Sequence, residues 1–352
     1  MMQQYLNKVP RTHYGRRSLG YLKSIKENKI VIIFGKTLES SGELEKIKAL
    51  LPEKEVVCIN PLENNLSEIK RVTDKIKKTE LIISIGGGNI MDFSKLLRIT
   101  LDNPETILEE INNSTELNKQ TNLIIIPTTP STGSQVTPVA ITHNKEESTK
   151  LIILHELNIP DEVILSSKLL KTISKKQMAE FICDIFAHSA EAYLSRLSNS
   201  FIKNLAEMNI ESLLENWKKY LESEGDLISL ENISINGQTG GICQGNAFVG
   251  VMHSLSHQLE MITGISHSRA LLNIIKPVLE WYNKNLDKEV FKKFINQFDE
   301  LRFDEYRENI FENINKEDLA KKTLADPSIK TSPIIFNEEK IQDLITWISI
   351  KK

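Results

Sequence analysis

The spacing of apolar residues changes near the middle of the chain, and this change constrains the fold more than any other feature. In the first half, short runs rich in Ile and Val alternate with stretches of helical periodicity, a pattern typical of buried parallel strands joined by helices. The sequence therefore predicts a β-α-β-α succession with a parallel sheet. The predicted strands are 30–34, 56–59, 81–85 and 123–126, and the predicted helices between them are 38–51 and 66–78.

Beyond residue 166 the apolar residues keep to helical spacing. A chain of 352 residues has about twice the commonest domain length, which favours two domains. We predict an α/β domain over residues 1–166 and an all-α domain over residues 167–352. The predicted helices of the second domain include 182–194, 201–220, 248–261 and 271–282, and residues 226–241 are predicted to connect two of them.

The charge balance and the few cysteines exclude several kinds of partner and site. Lys and Arg total 44 against 47 Asp and Glu, a formal net charge of -3, so no overall field attracts nucleic acid or an acidic membrane. Three cysteines without a C-x-x-C pair argue against a disulfide scaffold or a cysteine zinc site. No apolar run reaches about 18 residues. We expect a cytoplasmic protein without a membrane span that binds a small molecule.

Three consecutive glycines, Gly86, Gly87 and Gly88, follow the predicted strand 81–85 and directly precede a predicted helix. In this position backbone N–H groups and a helix N-terminus can hold a phosphate, and glycine lets the ligand approach the main chain. The run is not G-x-G-x-x-G, because Met91 stands where the third glycine belongs, and the chain contains no Walker A motif. The glycines therefore indicate either an anion-binding turn or an ordinary tight turn.

A second polar turn follows the predicted strand 123–126. Its hydroxyl groups can line the ribose and phosphates of a nucleotide, or they can bond the backbone of the turn itself, which is the commoner use of such residues. They belong to Thr128, Thr129, Ser131, Thr132, Ser134 and Thr137.

A carboxylate and four histidines recur at helical spacing in the second half. Asp184 and His188 are four residues apart in an apolar helix pattern, and His253 and His257 repeat the spacing, with His267 shortly after. Side chains at this spacing point the same way, and a buried carboxylate among imidazoles is satisfied by a divalent cation. The alternative is a packed helix face with structural histidines. One Asp with three His suits iron(II) or zinc(II), and the spacing does not match the H-E-x-x-H of metalloproteases.

Taken together, these residues resemble the iron-containing alcohol dehydrogenase family. Four motifs match in family order and at family spacing. They are GGGNIMDFSK at 86–95 for GGGSxxDxxK, IPTTPSTGSQVT at 126–137 for IPTTxGTGSEVT, DIFAHSAEAY at 184–193 for DxxxHxxExY, and HSLSH at 253–257 with Ser266-His267 for HALAH and PHG.

The resemblance implies a fold of the dehydroquinate synthase-like kind, with an α/β dinucleotide-binding domain followed by a helical domain that binds metal and substrate. It implies Fe2+ or Zn2+ held by Asp184, His188, His253 and His267, and it leaves His257 as the catalytic proton relay beside the nicotinamide and substrate. We further expect a homodimer. The residues implied to bind the cofactor are Gly87, Gly88, Asn89, Asp92, Thr128, Thr129, Thr132, Val136 and Lys150.

Four positions depart from the family pattern. Asn89 replaces a Ser, Gln135 a Glu, Ser166 an Asp and Ser268 the Gly of PHG. None of these removes an implied metal ligand. Ser268 adjoins the implied ligand His267, where the shape of the substrate pocket would be set, so substrate identity is the property least transferable from the resemblance.

The end of the first predicted strand bears on the choice of cofactor. An acidic side chain there would bond the 2′-hydroxyl of the ribose and repel a 2′-phosphate. Gly35 instead leaves room and Lys36 adds a positive charge, so we favour NADP(H) over NAD(H). The alternative is an ordinary turn with a solvated lysine.

The sequence thus predicts a metal-dependent, NAD(P)H-linked alcohol dehydrogenase or aldehyde reductase that acts on a small alcohol or aldehyde. Arg269 either binds the anionic group of a semialdehyde or phosphonoacetaldehyde-like substrate or forms a surface salt bridge. Two other functions compete with this prediction. One is a zinc enzyme like glycerol dehydrogenase or dehydroquinate synthase, and the other is a nucleotide-binding sensor without catalysis.

Overall fold

A computed structural model of the chain describes residues 6–112, 115–144, 149–223, 225–312 and 314–351. The chain divides into two compact units, Met1–Thr172 and Ile173–Lys352. Among the described helices, none is long and apolar enough to cross a membrane.

The strands of the described part all lie in the first unit, and six of them form one parallel sheet. The sheet order is β1-β8-β5-β4-β2-β3, and β6 pairs with β7 as a separate antiparallel hairpin. The prediction of a parallel sheet is therefore confirmed. The strands are Arg11–His13 (β1), Lys29–Phe34 (β2), Glu55–Ile59 (β3), Leu81–Gly86 (β4), Asn122–Pro127 (β5), Val139–Asn144 (β6), Thr149–Leu154 (β7) and Glu162–Ile164 (β8).

Both faces of this sheet are covered, which explains why its strands read as continuous apolar runs. Alternate residues of a strand point to opposite faces, so Val31 and Ile33 of β2 belong to one hydrophobic cluster and Ile30 and Ile32 to the other. The helices of this unit are Lys36–Ser40 (α1), Glu43–Lys48 (α2), Leu66–Ile76 (α3) and Gly88–Asp102 (α4).

The predicted helix 38–51 is wrong as a single element. Gly42 has φ 72°, in the left-handed region, and this residue separates α1 from α2. The left-handed conformation cannot continue a right-handed helix, and glycine adopts it without steric cost. The predicted helix 66–78 is confirmed as α3, which Asn65 caps by accepting a hydrogen bond from the backbone of Glu68.

Among the described residues of the second unit, all regular secondary structure is helical, as predicted. The segment 226–241, however, is not a connection but most of a helix. Its glycines allow close packing, because a Cβ on Gly240 would lie 3.4 Å from the side chain of His188. The helices are Lys175–Leu194 (α5), Ser200–Glu222 (α6), Leu227–Ala247 (α7), Val251–Thr263 (α8), His267–Leu286 (α9), Glu289–Glu300 (α10), Lys316–Ala325 (α11) and Glu338–Ile350 (α12).

Candidate functional site

Three helices of the second unit bring the predicted metal ligands together around one carboxylate oxygen. Asp184 and His188 lie one turn apart on α5, His253 lies in the first turn of α8, and His267 is the first residue of α9. Oδ1 of Asp184 lies 3.4 Å from Nε2 of His188, 3.6 Å from Nε2 of His253 and 3.8 Å from Nε2 of His267.

The donor set fits a divalent cation. The ligand atoms of Asp184, His188 and His253 all lie within 4.8 Å of one another. Within the described part of the chain, Oδ1 of Asp184 and Nε2 of His253 are buried and make no hydrogen bond. Buried polar atoms without a partner are costly, and a cation bound among them would satisfy both. His267 stands at the rim of the cluster, where its side chain is 23% exposed.

The surroundings hold two of these groups in the protonation state that a metal ligand needs. Burial alone would raise the pKa of Asp184, but the imidazoles of His188, His267 and His253 outweigh it and hold that pKa well below its usual range. Burial lowers the pKa of His267 well below its usual value. An ionised carboxylate and a neutral imidazole are the forms that coordinate a cation.

Hydrogen bonds fix the orientation of His267. Oγ of Ser256 donates to the backbone carbonyl of His253 at 2.9 Å and lies 2.8 Å from Nδ1 of His267. A serine hydroxyl has one hydrogen, so Ser256 accepts from Nδ1–H of His267. The proton therefore sits on Nδ1, and the lone pair of Nε2 faces Asp184.

His257 lies one turn after His253 on α8 and is oriented by the C-terminal part of the chain. Its Nδ1 lies 3.0 Å from Oδ2 of Asp326, 69 residues away along the sequence. The rings of His257 and His267 stack with centroids 5.0 Å apart. The side chain of His257 remains 20% exposed, so this residue adjoins the predicted ligand His267 and also reaches solvent.

Three residues of this site were not among the predicted site residues. Glu191 has a sequence signal, since it follows Asp184 by seven residues and therefore shares its face of α5. Ser256 lies three residues after His253 in the same helix, but a serine at that spacing does not by itself indicate a site. Asp326 has no local signal, because only the tertiary fold brings it to His257.

The predicted nucleotide-binding turns meet in the first unit, at the carboxyl ends of the neighbouring strands β4 and β5. A Cβ added to Gly87 would lie 3.5 Å from the side chain of Thr129, and one added to Gly88 would lie 3.3 Å from Thr132. Gly86 is different, because a Cβ there would lie 2.6 Å from Cβ of Ile90. Gly86 is therefore required for packing, whereas a Cβ on Gly87 would make only an ordinary van der Waals contact.

The hydroxyl groups of the second turn differ in their partners: some bond within the protein, and others have no protein partner among the described residues and could contact a nucleotide. Ser134 donates to Asp92 at 2.6 Å and so bonds within the protein. Oγ1 of Thr129 and Oγ of Ser131 are buried and lack a hydrogen-bond partner among the described residues. Buried hydroxyls of this kind require a partner, which favours a polar ligand at this turn.

Asp92 connects the two turns and does not present a free carboxylate. Its Oδ1 accepts from Ser134, its Oδ2 accepts from the backbone of Ile141 at 3.2 Å, and Nζ of Lys95 lies 3.6 Å away. Lys95 in turn donates to the backbone carbonyl of Val139 at 2.7 Å. Burial lowers the pKa of Lys95 to about 8. Asp92 therefore holds the second turn and β6 against α4.

The remaining predicted cofactor residues lie around the same edge of the sheet. The backbone N–H of Gly35 donates to Ile85 at 3.1 Å. Val136 is buried just after the second turn. The backbone N–H of Thr128 donates to the carbonyl of Gly86, and Lys36 begins α1 on the surface. Asn89 lines a cavity of about 290 Å³ together with Glu63, Asn64, Asn65 and His143. Lys150 pairs in register with His143 in the β6–β7 hairpin.

Arg269 forms a salt bridge. Its guanidinium contacts the carboxylate of Glu308, which also accepts from Nζ of Lys176 at 3.0 Å. The sequence left open whether Arg269 binds an anionic substrate or forms a surface salt bridge, and the structure contains the salt bridge.

Two comparisons of sequence place this chain among known proteins. Residues 10–167 match the family described as iron-containing alcohol dehydrogenase, and residues 179–331 match its C-terminal part. The chain is 25% identical over 300 residues to an aldehyde-alcohol dehydrogenase of Streptococcus pneumoniae, covering 80% of this chain but 34% of that protein. It is 29% identical over 301 residues to the NADPH-dependent butanol dehydrogenase of Clostridium saccharobutylicum, covering 81% of this chain and 75% of the relative.

Solved structures share the fold at lower identity. An iron-containing alcohol dehydrogenase of Thermococcus thioreducens superposes with a TM-score of 0.86 at 21% identity, covering 99% of this chain and 100% of that one. A sulfoacetaldehyde reductase of Bifidobacterium kashiwanohense superposes with a TM-score of 0.87 at 15% identity, covering 100% of both chains. Since the family match spans both units and includes the cluster around Asp184, the chain belongs to the iron-containing alcohol dehydrogenase family.

Proposed function

We propose that this chain is a metal-dependent, NAD(P)H-linked alcohol dehydrogenase or aldehyde reductase. The observation that carries the proposal is the buried carboxylate oxygen of Asp184, which has three imidazole Nε2 atoms within 3.8 Å and no hydrogen bond within the described part of the chain. Such a group is costly to bury unless a cation is bound. We assign the four ligands of that cation, Fe2+ or Zn2+, to Asp184, His188, His253 and His267.

The divalent ion and the nicotinamide cofactor would supply the chemistry that side chains cannot. The ion would polarise an alcohol or carbonyl oxygen, and the nicotinamide would exchange a hydride. The glycines of the first turn leave the backbone open to a pyrophosphate. The unpartnered hydroxyls of Thr129 and Ser131 supply polar contacts beside it. Asp92 and Lys95 keep the two turns together.

His257 is the proposed proton relay. The carboxylate of Asp326 accepts from Nδ1–H, so Nε2 is the atom that takes a proton from the alcohol or returns one to it. The exposed fraction of His257 gives that proton a route to solvent, as a general acid or base requires.

NADP(H) is the proposed cofactor in preference to NAD(H). Gly35 and the exposed Lys36 follow β2, where an acidic residue would select against a 2′-phosphate. The butanol dehydrogenase relative is itself described as NADPH-dependent, which supports the same preference. Equal or better kcat/KM with NADH would contradict it.

The proposed substrate is a short aldehyde or the corresponding alcohol. The hypothesis of an anionic substrate depends on Arg269, and its salt bridge with Glu308 reduces the charge available to a ligand. A carboxylate-bearing or phosphonate-bearing aldehyde remains the substrate if Arg269→Ala raises its KM far more than that of a neutral aldehyde of equal length. If Arg269→Ala changes the KM of both aldehydes equally, the proposed substrate is a neutral short-chain aldehyde and its alcohol.

The proposed function is tested by one screen. The purified chain is loaded with Fe2+ or Zn2+ in separate preparations, and oxidation of NADPH and NADH is followed with a series of short aldehydes. We expect turnover with at least one metal and none after chelation. Metal binding without turnover by any aldehyde would favour the nucleotide-binding sensor, and turnover confined to zinc with glycerol-like diols would favour the glycerol-dehydrogenase-like enzyme.

The assembly and location of the protein are also proposals. We propose a cytoplasmic homodimer that acts on small molecules, and light scattering of the purified chain would measure its oligomeric state.

A further inference from the structure

A carboxylate that is not one of the proposed ligands touches the metal centre. Glu191 lies on α5 and is 5% exposed. Its Oε2 lies 2.6 Å from Nδ1 of His253, and its Oε1 accepts from the backbone N–H of Met252 at 2.6 Å. Asp184, His188 and Glu191 follow one another at four and three residues, so a single face of α5 carries two proposed ligands and this third group.

The contact with Glu191 decides which nitrogen of His253 is available to a metal. A carboxylate accepts hydrogen bonds, so the imidazole hydrogen is held on Nδ1. Nε2 is then the nitrogen left to bind a cation, and this is the atom that lies 3.6 Å from Oδ1 of Asp184. Because Glu191 also bonds the backbone of Met252, it fixes the first turn of α8 as well as the ring of His253.

The structure reserves space for this carboxylate. Gly250, the residue before α8, would place a Cβ 3.0 Å from Oε1 of Glu191 and 3.1 Å from Oγ of Ser332. Its φ of -126° lies outside the left-handed region. A side chain at this position would nevertheless meet Glu191 and Ser332 at less than ordinary contact distance.

We infer that Glu191 is a positioning residue of the metal centre, which sets the tautomer and orientation of His253 and thereby the affinity for the divalent ion. This inference rests on the proposed function, because it concerns the same ion. Partners of this kind to ligating histidines typically change metal affinity by about 10–100-fold. The competing explanation is that Glu191 only caps the N-terminus of α8, where a negative charge is favourable.

The variant Glu191→Gln separates these two roles. The amide keeps the size of the side chain but offers one acceptor oxygen where the carboxylate offers two, so either Met252 or His253 loses its acceptor. We expect the Kd for Zn2+, measured by competition with a chromogenic chelator, to rise about 10–100-fold. We also expect the visible absorption bands of the Co2+-loaded protein to shift, because they report the ligand geometry directly.

The matched control is Asn216→Ala, which removes a buried hydrogen bond of 2.7 Å between Asn216 and Asn236. It should lower the free energy of unfolding without changing the Kd or the Co2+ spectrum. Gly250→Ala supplies a second route to the same test, since its methyl group would press on Oε1 of Glu191 without replacing any side chain of the centre. It should weaken Zn2+ binding in the same direction, and it keeps the test decisive if Glu191→Gln does not fold.

The outcomes distinguish this inference from the proposed function. An unchanged Zn2+ affinity and Co2+ spectrum in folded Glu191→Gln, or in folded Gly250→Ala if only that variant folds, would overturn the positioning role and leave Glu191 as a helix cap. Failure of the unmodified protein to bind Zn2+, Fe2+ or Co2+ would instead overturn the proposed function. A weakened affinity with a shifted spectrum, absent in Asn216→Ala, supports the inference.

Discussion

At the scale of single residues, the candidate metal centre shows how one buried group imposes requirements on its neighbours. The carboxylate of Asp184 is 2% exposed, and we propose that a cation shared with the imidazoles around it compensates its charge. Those imidazoles need their Nε2 atoms directed inward. Ser256 and Glu191 achieve this for His267 and His253 by bonding the opposite nitrogen. The proposed centre therefore depends on Ser256 and Glu191, which orient its ligands, as well as on the ligands themselves.

Replacement of the central carboxylate tests this arrangement. Asp184→Asn removes the negative charge that the proposed ligands share, and the protein should lose most of its bound metal because an amide is a poor ligand for Fe2+ or Zn2+. Metal content after dialysis is measured by elemental analysis. Glu180→Gln, one turn earlier on α5, is the control and should retain its metal. Full metal content in Asp184→Asn would show that the ion is held elsewhere.

The proton relay can be separated from metal binding. His257→Ala should lower kcat by about 10²–10⁴-fold, the usual contribution of a general acid or base, while metal content stays unchanged. Asp326→Asn should have a smaller effect in the same direction, because its single amide oxygen cannot accept from both His257 and the backbone of Ser328 and the amide no longer stabilises a charged imidazole. Steady-state kinetics measures both, and a kcat within twofold of the unmodified enzyme for His257→Ala would exclude this residue as the relay.

At the scale of elements, the first glycine turn joins β4 to α4, and its three glycines serve different purposes. Gly86 ends β4 against Ile90, and Gly87 is the N-cap of α4. The run of glycines by itself does not separate them, because both precede the same helix, and only the family resemblance implied a cofactor contact for Gly87 and not for Gly86. The packing of the turn shows that Gly86 excludes a side chain and that Gly87 would tolerate one.

The pair Gly86→Ala and Gly87→Ala therefore should behave in opposite ways. Gly86→Ala places a methyl group 2.6 Å from Cβ of Ile90 and should reduce the free energy of unfolding by about 1–3 kcal/mol. Gly87→Ala makes only ordinary contacts with Thr129 at 3.5 Å and should fold normally but bind NADPH more weakly, because the methyl group stands where the pyrophosphate approaches. Urea unfolding and nucleotide titration measure the two effects. Unchanged NADPH affinity in Gly87→Ala would remove this turn from the cofactor site.

At the scale of the whole molecule, the sequence predicts elements whose pattern is set locally and misses those set by distant contacts. The strands 30–34 and 81–85 are found because both faces are buried and every residue except Ser84 is apolar. The strands β1 and β8 are three residues each, too short for a pattern. The helix α7 is missed because glycines interrupt it. Asp326 joins the site only through folding, since no local pattern connects it with His257.

The division of the proposed sites between the two units makes a prediction about stability. All proposed metal ligands belong to Ile173–Lys352, and the nucleotide-binding turns belong to Met1–Thr172. A ligand that binds only the native state stabilises it by about 2.7 kcal/mol at a concentration of 100 Kd. Zn2+ should therefore slow amide hydrogen exchange most strongly in α5, α8 and the start of α9.

NADPH should slow exchange instead in the turns after β4 and β5 and at the start of α4. The comparison uses the intact chain with each ligand separately, and the metal-free, nucleotide-free protein is the reference. Protection of an amide from exchange reports the free energy of local opening around it. The elements whose amides gain protection with a ligand therefore indicate where that ligand binds. Zn2+ protection centred on α4, or NADPH protection confined to α5 and α8, would contradict the assignment of the two sites to separate units.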